Sequence, residues 1–285
     1  LKCPWQIRQK VIADLLPIYG GANARTIIFV QTKRDANELV LSDSIKEDCG
    51  ALHGDIPQKQ RETTLGAFKK GNFTVLVATD VASRGLHINN VDLVINFEPP
   101  TSRSGRADVD TYIHRSGRTG RAGQSGTCIT LYTVKQENAV RQIEREIGNN
   151  MERISAPQPK DLIVATAKRA LDQMLLIDDE VLDAFRPVVQ EALEKHDGDH
   201  EALLCRALAE IAGVRSVTYR SMLSSSEGYK TYLFNANQVL RTPSYVFTAI
   251  RNTFEPSVAD GVRAMTFSKD KRMALFDVPV ALVKS

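Results

Sequence analysis

The residues best suited to chemistry lie in one stretch, residues 114–121, which reads His-Arg-Ser-Gly-Arg-Thr-Gly-Arg. Arg118 and Arg121 are three positions apart, so on a helical turn they project from the same side. Two guanidinium groups held side by side suit phosphate oxygens, because each offers a planar fork of N–H donors. Gly117 and Gly120 permit the tight backbone that this convergence needs. The pattern predicts a phosphate-binding site, with a surface turn as the alternative.

The first half of the chain alternates short apolar runs with stretches of helical period. The apolar runs predict buried strands at residues 26–31, 49–52, 73–78, 91–96 and 126–132. The amphipathic stretches predict helices at residues 4–18, 32–40, 57–70, 109–113 and 135–147. Strands that alternate with helices indicate an α/β fold, in which a parallel sheet is covered by helices on both faces.

Polar clusters directly follow three of the predicted strands. Residues 31–33 read Gln-Thr-Lys, residues 53–55 read His-Gly-Asp, and residues 79–80 read Thr-Asp. In an open parallel sheet, ligands bind beyond the carboxyl ends of the strands. We therefore expect these three clusters to meet at the ligand-binding edge of the sheet.

The clusters and the arginine-rich stretch together resemble the ordered motifs of the second RecA-like domain of DEAD-box RNA helicases. The matching segments are IIFVQT (27–32), HGD (53–55) with QKQR (58–61), VATDVASRGL (77–86) and HRSGRTGR (114–121). Many other helicases have glutamine where His114 stands, which favours the DEAD-box branch. The likeness covers residues 1–152 and implies a RecA-like domain there.

The resemblance implies a role for each matched residue. The RNA path would be lined by Thr32, Lys33, Gly54, Asp55, Arg61, Thr79 and Asp80. Arg118 and Arg121 would be the catalytic arginine fingers on the γ-phosphate of ATP. The ATP pocket and the link between domains would involve Arg84, Gly85, His87 and His114. Contacts to sugar and phosphate carry no sequence preference, and a contact to the 2′-hydroxyl would select RNA over DNA.

His87 departs from the family pattern. The family usually has Gly-Leu-Asp in the fifth motif, where the Asp binds the ribose of ATP, whereas here His87 follows Gly85 and Leu86. A neutral imidazole can bond to a hydroxyl, but it does not offer the two acceptor oxygens of a carboxylate. The departure therefore predicts weaker ATP binding than a chain with Asp at position 87 would show.

Residues 101–106 also depart from the pattern, because they lengthen the loop before the arginine-rich stretch. They read Thr-Ser-Arg-Ser-Gly-Arg, which is polar and predicts a mobile loop. An additional RNA contact and a plain surface insertion are the two interpretations.

Two motifs of the complete enzyme are absent from the 285 residues, the phosphate loop GxxxxGKT and the quartet Asp-Glu-Ala-Asp. The resemblance therefore implies that ATP with Mg²⁺ is held by a preceding RecA-like domain, and that this chain alone is inactive. A non-enzymatic RNA-binding or ribonucleoprotein-assembly scaffold with a degenerate helicase fold is the competing class, and a DNA-directed helicase is a third.

The middle of the chain predicts helices without an obvious chemistry. Residues 153–160 contain two prolines and predict a linker, and residues 161–216 predict three helices with apolar stripes. A small bundle packed on its neighbour is one interpretation, and a homodimerisation or protein-docking segment is the other. By charge, this acidic stretch separates two basic ones: residues 151–216 carry a net −5, and residues 1–150 and 217–285 carry +4 each.

The last 69 residues, 217–285, predict a strand, a helix and a β-hairpin, which fit an RRM-like α+β domain. Residues 160–285 resemble the GUCT region of the nucleolar RNA helicase II/Gu family, through DLIVATAKRALDQM, TYRSML and FDVP. Met273, Ala274 and Leu275 stand where the RNP consensus has aromatic residues. Candidate RNA contacts are Tyr229, Lys230, Tyr232, Lys271 and Arg272, for which core or solubility roles are the alternative.

Composition excludes several classes of protein. No apolar run approaches the roughly 20 residues that span a bilayer, so no membrane partner is expected. The four cysteines form no CxxC pair, which predicts reduced thiols and neither a zinc site nor a disulfide framework. The resemblance implies a nuclear or nucleolar location, with a mitochondrion or another organelle as the alternative.

Overall fold

The computed structural model describes residues 1–21, 24–42, 45, 49–80, 88, 91–102, 104–120, 126–215 and 219–283. The chain forms two compact units. Residues 1–157 and 161–213 make the first unit, and residues 158–160 and 214–285 make the second.

A five-stranded parallel sheet lies at the centre of the first unit, in the order β2-β3-β1-β4-β5. The strands are β1 Thr26–Val30, β2 Cys49–Leu52, β3 Val75–Thr79, β4 Leu93–Asn96 and β5 Thr127–Thr130. Every residue of β1, β3 and β4 is buried, as expected of central strands with both faces covered. The predicted parallel sheet is confirmed.

Helices cover this sheet on both faces. The α-helices that the described residues of this unit form are α1 Arg8–Leu15, α2 Lys33–Val40, α3 Gln58–Lys70, α4 Val109–Ser116, α5 Glu137–Ile147, α6 Pro159–Met174, α7 Asp179–Lys195 and α8 His200–Ile211. Ile28 of β1 packs in one core cluster with Ile12 of α1 and Leu39 of α2. Phe29 points to the other face and packs with Phe68 of α3. Alternate residues of one strand therefore build two cores, which gives the layered α/β architecture.

Helices α6 to α8 leave most of their large apolar side chains exposed. These side chains include Val164, Leu171, Val181, Leu182, Phe185, Val188, Val189, Leu204 and Ile211. Within the described residues of these helices, only Ala170 is buried. The structure thus forms the predicted helices but does not bury their stripes within the unit. No helix among the described residues is long and apolar enough to cross a membrane.

The second unit contains a small antiparallel sheet, in the order β6-β8-β7. Its elements are β6 Tyr229–Asn235, α9 Pro243–Thr253, α10 Pro256–Asp260, β7 Arg263–Phe267 and β8 Met273–Pro279. Val246 and Ile250 of α9 pack against Ala274 and Phe276 on one face of the sheet. The predicted α+β class is confirmed, although an RRM has a four-stranded sheet and the described residues form three strands.

Candidate functional site

The polar clusters predicted from the sequence lie together at the carboxyl edge of the parallel sheet. Lys33 follows β1 and Asp55 follows β2, and the Nζ of Lys33 donates to Oδ2 of Asp55 at 2.6 Å. This hydrogen bond lowers the pKa of Asp55 below its ordinary value. Both side chains remain about three-fifths exposed, at 62% and 60%, so the pair lies on an accessible surface.

Thr32 begins helix α2 as its N-cap. The Oγ1 of Thr32 accepts from the backbone N–H of Asp35 at 3.1 Å, and the carboxylate of Asp35 accepts from the N–H of Thr32 at 3.3 Å. This capping box satisfies two backbone donors and leaves those of Lys33 and Arg34 for an external acceptor. The start of α2 is therefore suited to a phosphate.

Gly54, Arg61 and Thr79 lie along the same edge. A Cβ atom built on Gly54 would meet nothing within 4 Å, so no packing inside the chain requires glycine there. A glycine at an open position allows the backbone of a ligand to approach closely. Arg61 lies in the first turn of α3 and is half-buried, and its Nε has no hydrogen-bond partner among the described residues. Thr79 is the buried last residue of β3.

Asp80 and Arg115 form a partly buried ion pair that the sequence did not predict. The Nε and Nη2 atoms of Arg115 donate to the two carboxylate oxygens of Asp80, at 2.7 and 2.6 Å. The Nη1 atom donates to Oδ1 of Asn96 at 3.1 Å, and the guanidinium lies over the ring of Phe29. Arg115 is only 2% exposed. Asp80, expected on the RNA path, thus also holds the arginine-rich stretch against the sheet.

A periodic signal could have revealed this role of Arg115. Thr111, Tyr112 and Arg115 are the buried residues of α4, at the spacing of one helix face. His114 lies on the exposed side of the same helix. In the stretch 114–121, the first arginine therefore belongs to the core and the histidine belongs to the surface.

Arg118 lies on the turn that follows α4. Helix α4 ends at Ser116, and the turn is closed by a bond from the N–H of Thr119 to the carbonyl of Ser116 at 3.2 Å. Thr119 also pairs with Val91 in an isolated parallel bridge. The half-buried Arg118 donates from Nη1 to the carbonyl of Ile88 at 3.4 Å. Its backbone position is therefore fixed by contacts on both sides of the turn.

Gly120 and Gly126 shape this turn, and of these two the sequence predicted a role for Gly120. Gly120 has a φ of 65°, in the left-handed region that favours glycine. A Cβ on Gly126 would lie 2.1 Å from Oγ1 of Thr119 and 2.3 Å from the nitrogen of Gly120. A side chain at residue 126 would thus displace the turn that carries Arg118.

The candidate ATP contacts are only partly described by the structure. Arg84, Gly85, His87 and Arg121 lie outside the described residues. Arg118 fits a phosphate ligand, because an arginine has five N–H donors and can bind an anion while it keeps contacts within the chain. The described residues hold no group of three or more His, Cys, Asp and Glu side chains placed to bind a metal ion.

A second buried arginine braces the carboxyl end of β4. Arg8 is fully buried and donates from Nη1 to the carbonyl of Phe97 at 2.6 Å and from Nη2 to Oε1 of Gln136 at 2.9 Å. Gln136 in turn donates to Glu98 at 2.7 Å. Burial lowers the pKa of Arg8 and raises that of Glu98. This network, which the sequence did not predict, is structural support beside the site.

The candidate RNA contacts of the second unit do not form one cluster. Tyr232 stacks on Phe276 at the core face of the sheet, with ring centroids 6.5 Å apart. Tyr229 pairs with Pro279 at one end of β6, whereas Lys271 and Arg272 are exposed beyond its other end. Lys230 lies over the ring of Tyr219, 4.0 Å from its centroid. The structure thus packs the partly buried Tyr232 against the core, and it places residues 229 and 230 at the opposite end of β6 from residues 271 and 272.

The four cysteines are free thiols in the structure. No disulfide joins the four cysteines, and burial raises the pKa of Cys128 to about 12. A thiol with so high a pKa carries almost no thiolate at neutral pH and is a poor nucleophile.

Three family models match the chain. They are the helicase conserved C-terminal domain at residues 8–123, the DDX21/DDX50 dimerisation domain at residues 158–211 and the GUCT (NUC152) domain at residues 213–285. Each match falls on a segment that the sequence distinguishes by its own pattern.

Individual proteins and structures are similar to the chain as well. Nucleolar RNA helicase 2 of Rattus norvegicus is 42% identical over 278 residues, which cover 98% of this chain and 34% of that protein. The C-terminal domain of the DEAD-box protein Dbp5 is 34% identical, with a TM-score of 0.47, over 51% of this chain and 81% of that one. An S. cerevisiae Dbp5 variant bound to a Gle1 variant and IP6 is 30% identical, with a TM-score of 0.52, over 59% and 44%. The chain spans about a third of the length of the curated relatives it matches.

Proposed function

The chain belongs to the DEAD-box RNA helicase family, and from this premise we propose that it forms the C-terminal part of an ATP-dependent RNA helicase. In this proposal the first unit binds the RNA backbone at the carboxyl edge of its sheet. It also supplies Arg118 and Arg121 to ATP with Mg²⁺ held by a second RecA-like domain of the same protein. The nucleolus is the proposed location, since the similar rat protein is named a nucleolar helicase.

One observation carries the proposal, the joint placement of Asp80, Arg115 and Arg118. Asp80 ends the predicted RNA cluster after β3, and its ion pair with Arg115 fixes the helix that leads into Arg118. Only two residues separate Arg115 from Arg118 along the chain. A displacement of Asp80 by RNA would therefore reach the arginine turn through a single buried side chain.

The RNA-binding edge supplies backbone contacts rather than base contacts. The N-terminus of α2 suits a phosphate, Arg61 adds a cationic donor, and open Gly54 allows close approach. Contacts of this kind fix the register of a strand without reading its sequence. When bound, ATP with Mg²⁺ would supply the free energy of hydrolysis, and Arg118 would orient and neutralise its terminal phosphate.

The rate of ATP hydrolysis by the full-length protein, with RNA and with DNA, tests this proposal. We expect ATP hydrolysis that is stimulated by single-stranded RNA and not by DNA of equal sequence. This 285-residue chain alone should show no stimulated hydrolysis, because it lacks the phosphate-loop motif. A coupled phosphate-release assay measures the rate with RNA, the rate with DNA and the rate of the chain alone.

Three results would contradict the proposal. RNA-stimulated hydrolysis by the chain alone would remove the need for a second domain. Full-length protein that binds RNA tightly but never hydrolyses ATP would favour the non-enzymatic scaffold, and equal stimulation by DNA would favour a DNA-directed enzyme.

We further propose that helices α6 to α8 bind a second copy of the chain. Their exposed apolar side chains form a stripe on α7, where Phe185 and Val188 are 60% and 63% exposed. The match of residues 158–211 to a dimerisation domain supports a like partner. Burial of such a stripe against its symmetric copy removes apolar surface from water on both sides.

Phe185→Asp tests the dimer, because it would place a carboxylate in an apolar interface. We expect the dimer dissociation constant to rise by about 100-fold or more, as for a central interface residue. Sedimentation equilibrium of the chain measures it. Gln190→Asp, on another side of the same helix, adds the same charge and should change little. A monomeric parent chain, or equal effects of the two variants, would contradict the proposal.

A further inference from the structure

The loop between β4 and α4 is a closed hairpin in the described residues. The N–H of Ser102 donates to the carbonyl of Arg106 at 2.8 Å, and the N–H of Gly105 donates to the carbonyl of Ser102 at 2.9 Å. Thr101 and Ala107 form an antiparallel bridge, and Gly105 has a φ of 77°. These main-chain bonds close the described residues of the segment into a hairpin.

Both ends of this hairpin are attached to the candidate site. The Nε2 of Gln31 donates to Oγ1 of Thr101 at 3.2 Å and to the carbonyl of Pro99 at 3.4 Å. At the other end, the N–H of Asp108 donates to the carbonyl of Pro100 at 2.9 Å, and Asp108 caps α4. The hairpin thus joins the residue before Thr32 to the helix that leads into Arg118.

The hairpin is basic by sequence. Residues 99–107 contain two arginines and no acidic residue. Arg106 is exposed, and no ion pair joins it to the residues that the structure describes. Asp108, two residues along the chain from Arg106, accepts hydrogen bonds from Thr111.

Arg106 is also close enough to the RNA edge to share a ligand with it. Arg106 lies opposite Ser102 across the hairpin, which places their Cα atoms about 5.5 Å apart. One further residue, about 3.8 Å along the chain, leads to Thr101, which contacts Gln31. An anionic polymer bound at the start of α2 would therefore pass within reach of the Arg106 side chain on the hairpin.

We propose that this hairpin extends the RNA track, with Arg106 as an additional contact to a backbone phosphate of single-stranded RNA. The inference rests on the proposed function, because it takes the edge at residues 31–33 as the RNA path. It assigns a binding residue outside the helicase motifs, on a segment by which this chain departs from the family pattern.

Arg106→Ala in the full-length protein tests the contact through salt dependence. Each phosphate contact to a single strand contributes about −0.7 to the slope of log K against log salt. We expect the variant to lose about 0.7 from that slope and to bind a 20-nucleotide RNA about threefold to tenfold more weakly at moderate salt. Fluorescence anisotropy at four salt concentrations measures both. Arg106→Glu should weaken binding further.

Two further variants, Arg141→Ala and Arg61→Ala, distinguish failure of the hairpin contact from failure of the proposed RNA edge. Arg141→Ala removes an exposed arginine of α5 that pairs with Glu137, and it should leave the slope unchanged. If Arg106→Ala behaves like Arg141→Ala while Arg61→Ala weakens RNA binding, the hairpin is a plain surface insertion and the inference is overturned. If Arg61→Ala is also without effect, the proposed RNA edge itself fails.

Discussion

Arg118→Ala should abolish most of the RNA-stimulated ATP hydrolysis of the full-length protein while RNA binding stays intact. An arginine that neutralises charge on a transferring phosphoryl group contributes about 10³–10⁵ in rate. The turn that carries Arg118 is held by Thr119 and Val91, so loss of the side chain should leave the backbone in place. Single-turnover hydrolysis with saturating RNA, together with RNA anisotropy, separates the two effects.

A second variant and a control complete this experiment. Arg121→Ala should behave in the same way, because both guanidinium groups are assigned to the same phosphate. Arg145→Ala on the exposed side of α5 is the control and should retain full hydrolysis. A variant of Arg118 that hydrolyses ATP within a few fold of the parent rate would overturn the assignment. A loss of RNA binding in step with hydrolysis would place Arg118 on the RNA path instead.

Asp80→Asn should be strongly destabilising, because it leaves the positive charge of Arg115 buried without its carboxylate. Breaking a buried ion pair by removal of one partner costs about 3–5 kcal/mol. Arg115 is 2% exposed and the side chain of Asp80 is 31% exposed, so we expect the lower end, about 3 kcal/mol. The bond from Arg115 to Asn96 would remain and would not replace the lost charge.

Fluorescence of Trp5 gives a specific measurement of this effect. Trp5 is the single tryptophan of the chain and lies against Phe97 in the first unit, at 5.0 Å between ring centroids. Urea unfolding followed by its emission therefore reports the free energy of unfolding of the unit that holds the ion pair.

Two variants complete the stability experiment. Asp55→Asn breaks the exposed pair with Lys33 and should change the free energy of unfolding far less than Asp80→Asn does, because water screens exposed charges. Asp80→Asn combined with Arg115→Met removes both charges, and it should be less destabilising than Asp80→Asn alone. Equal costs for Asp80→Asn and Asp55→Asn would show that burial of Arg115 does not depend on the carboxylate.

The sequence alone determined the layered fold of the first unit and the edge at which polar residues gather. Apolar runs such as residues 26–30 predict central strands because both faces of such strands must be buried. Polar residues directly after a strand lie at its carboxyl end. The order of the chain therefore located the clusters at 31–33 and 53–55 at the carboxyl edge of the sheet. These features depend on neighbours within a few residues, and a local pattern therefore predicts them.

Only the tertiary structure decided which charges are paired and which surfaces are left open. Asp80 and Arg115 are 35 residues apart, and the sequence shows both charges without showing that helix α4 folds one onto the other. The same holds for the stripe on α7, since a periodic apolar face is compatible with burial or with exposure until the neighbouring helices are in place. Pairing and burial depend on contacts between distant segments, and those contacts exist only once the chain has folded.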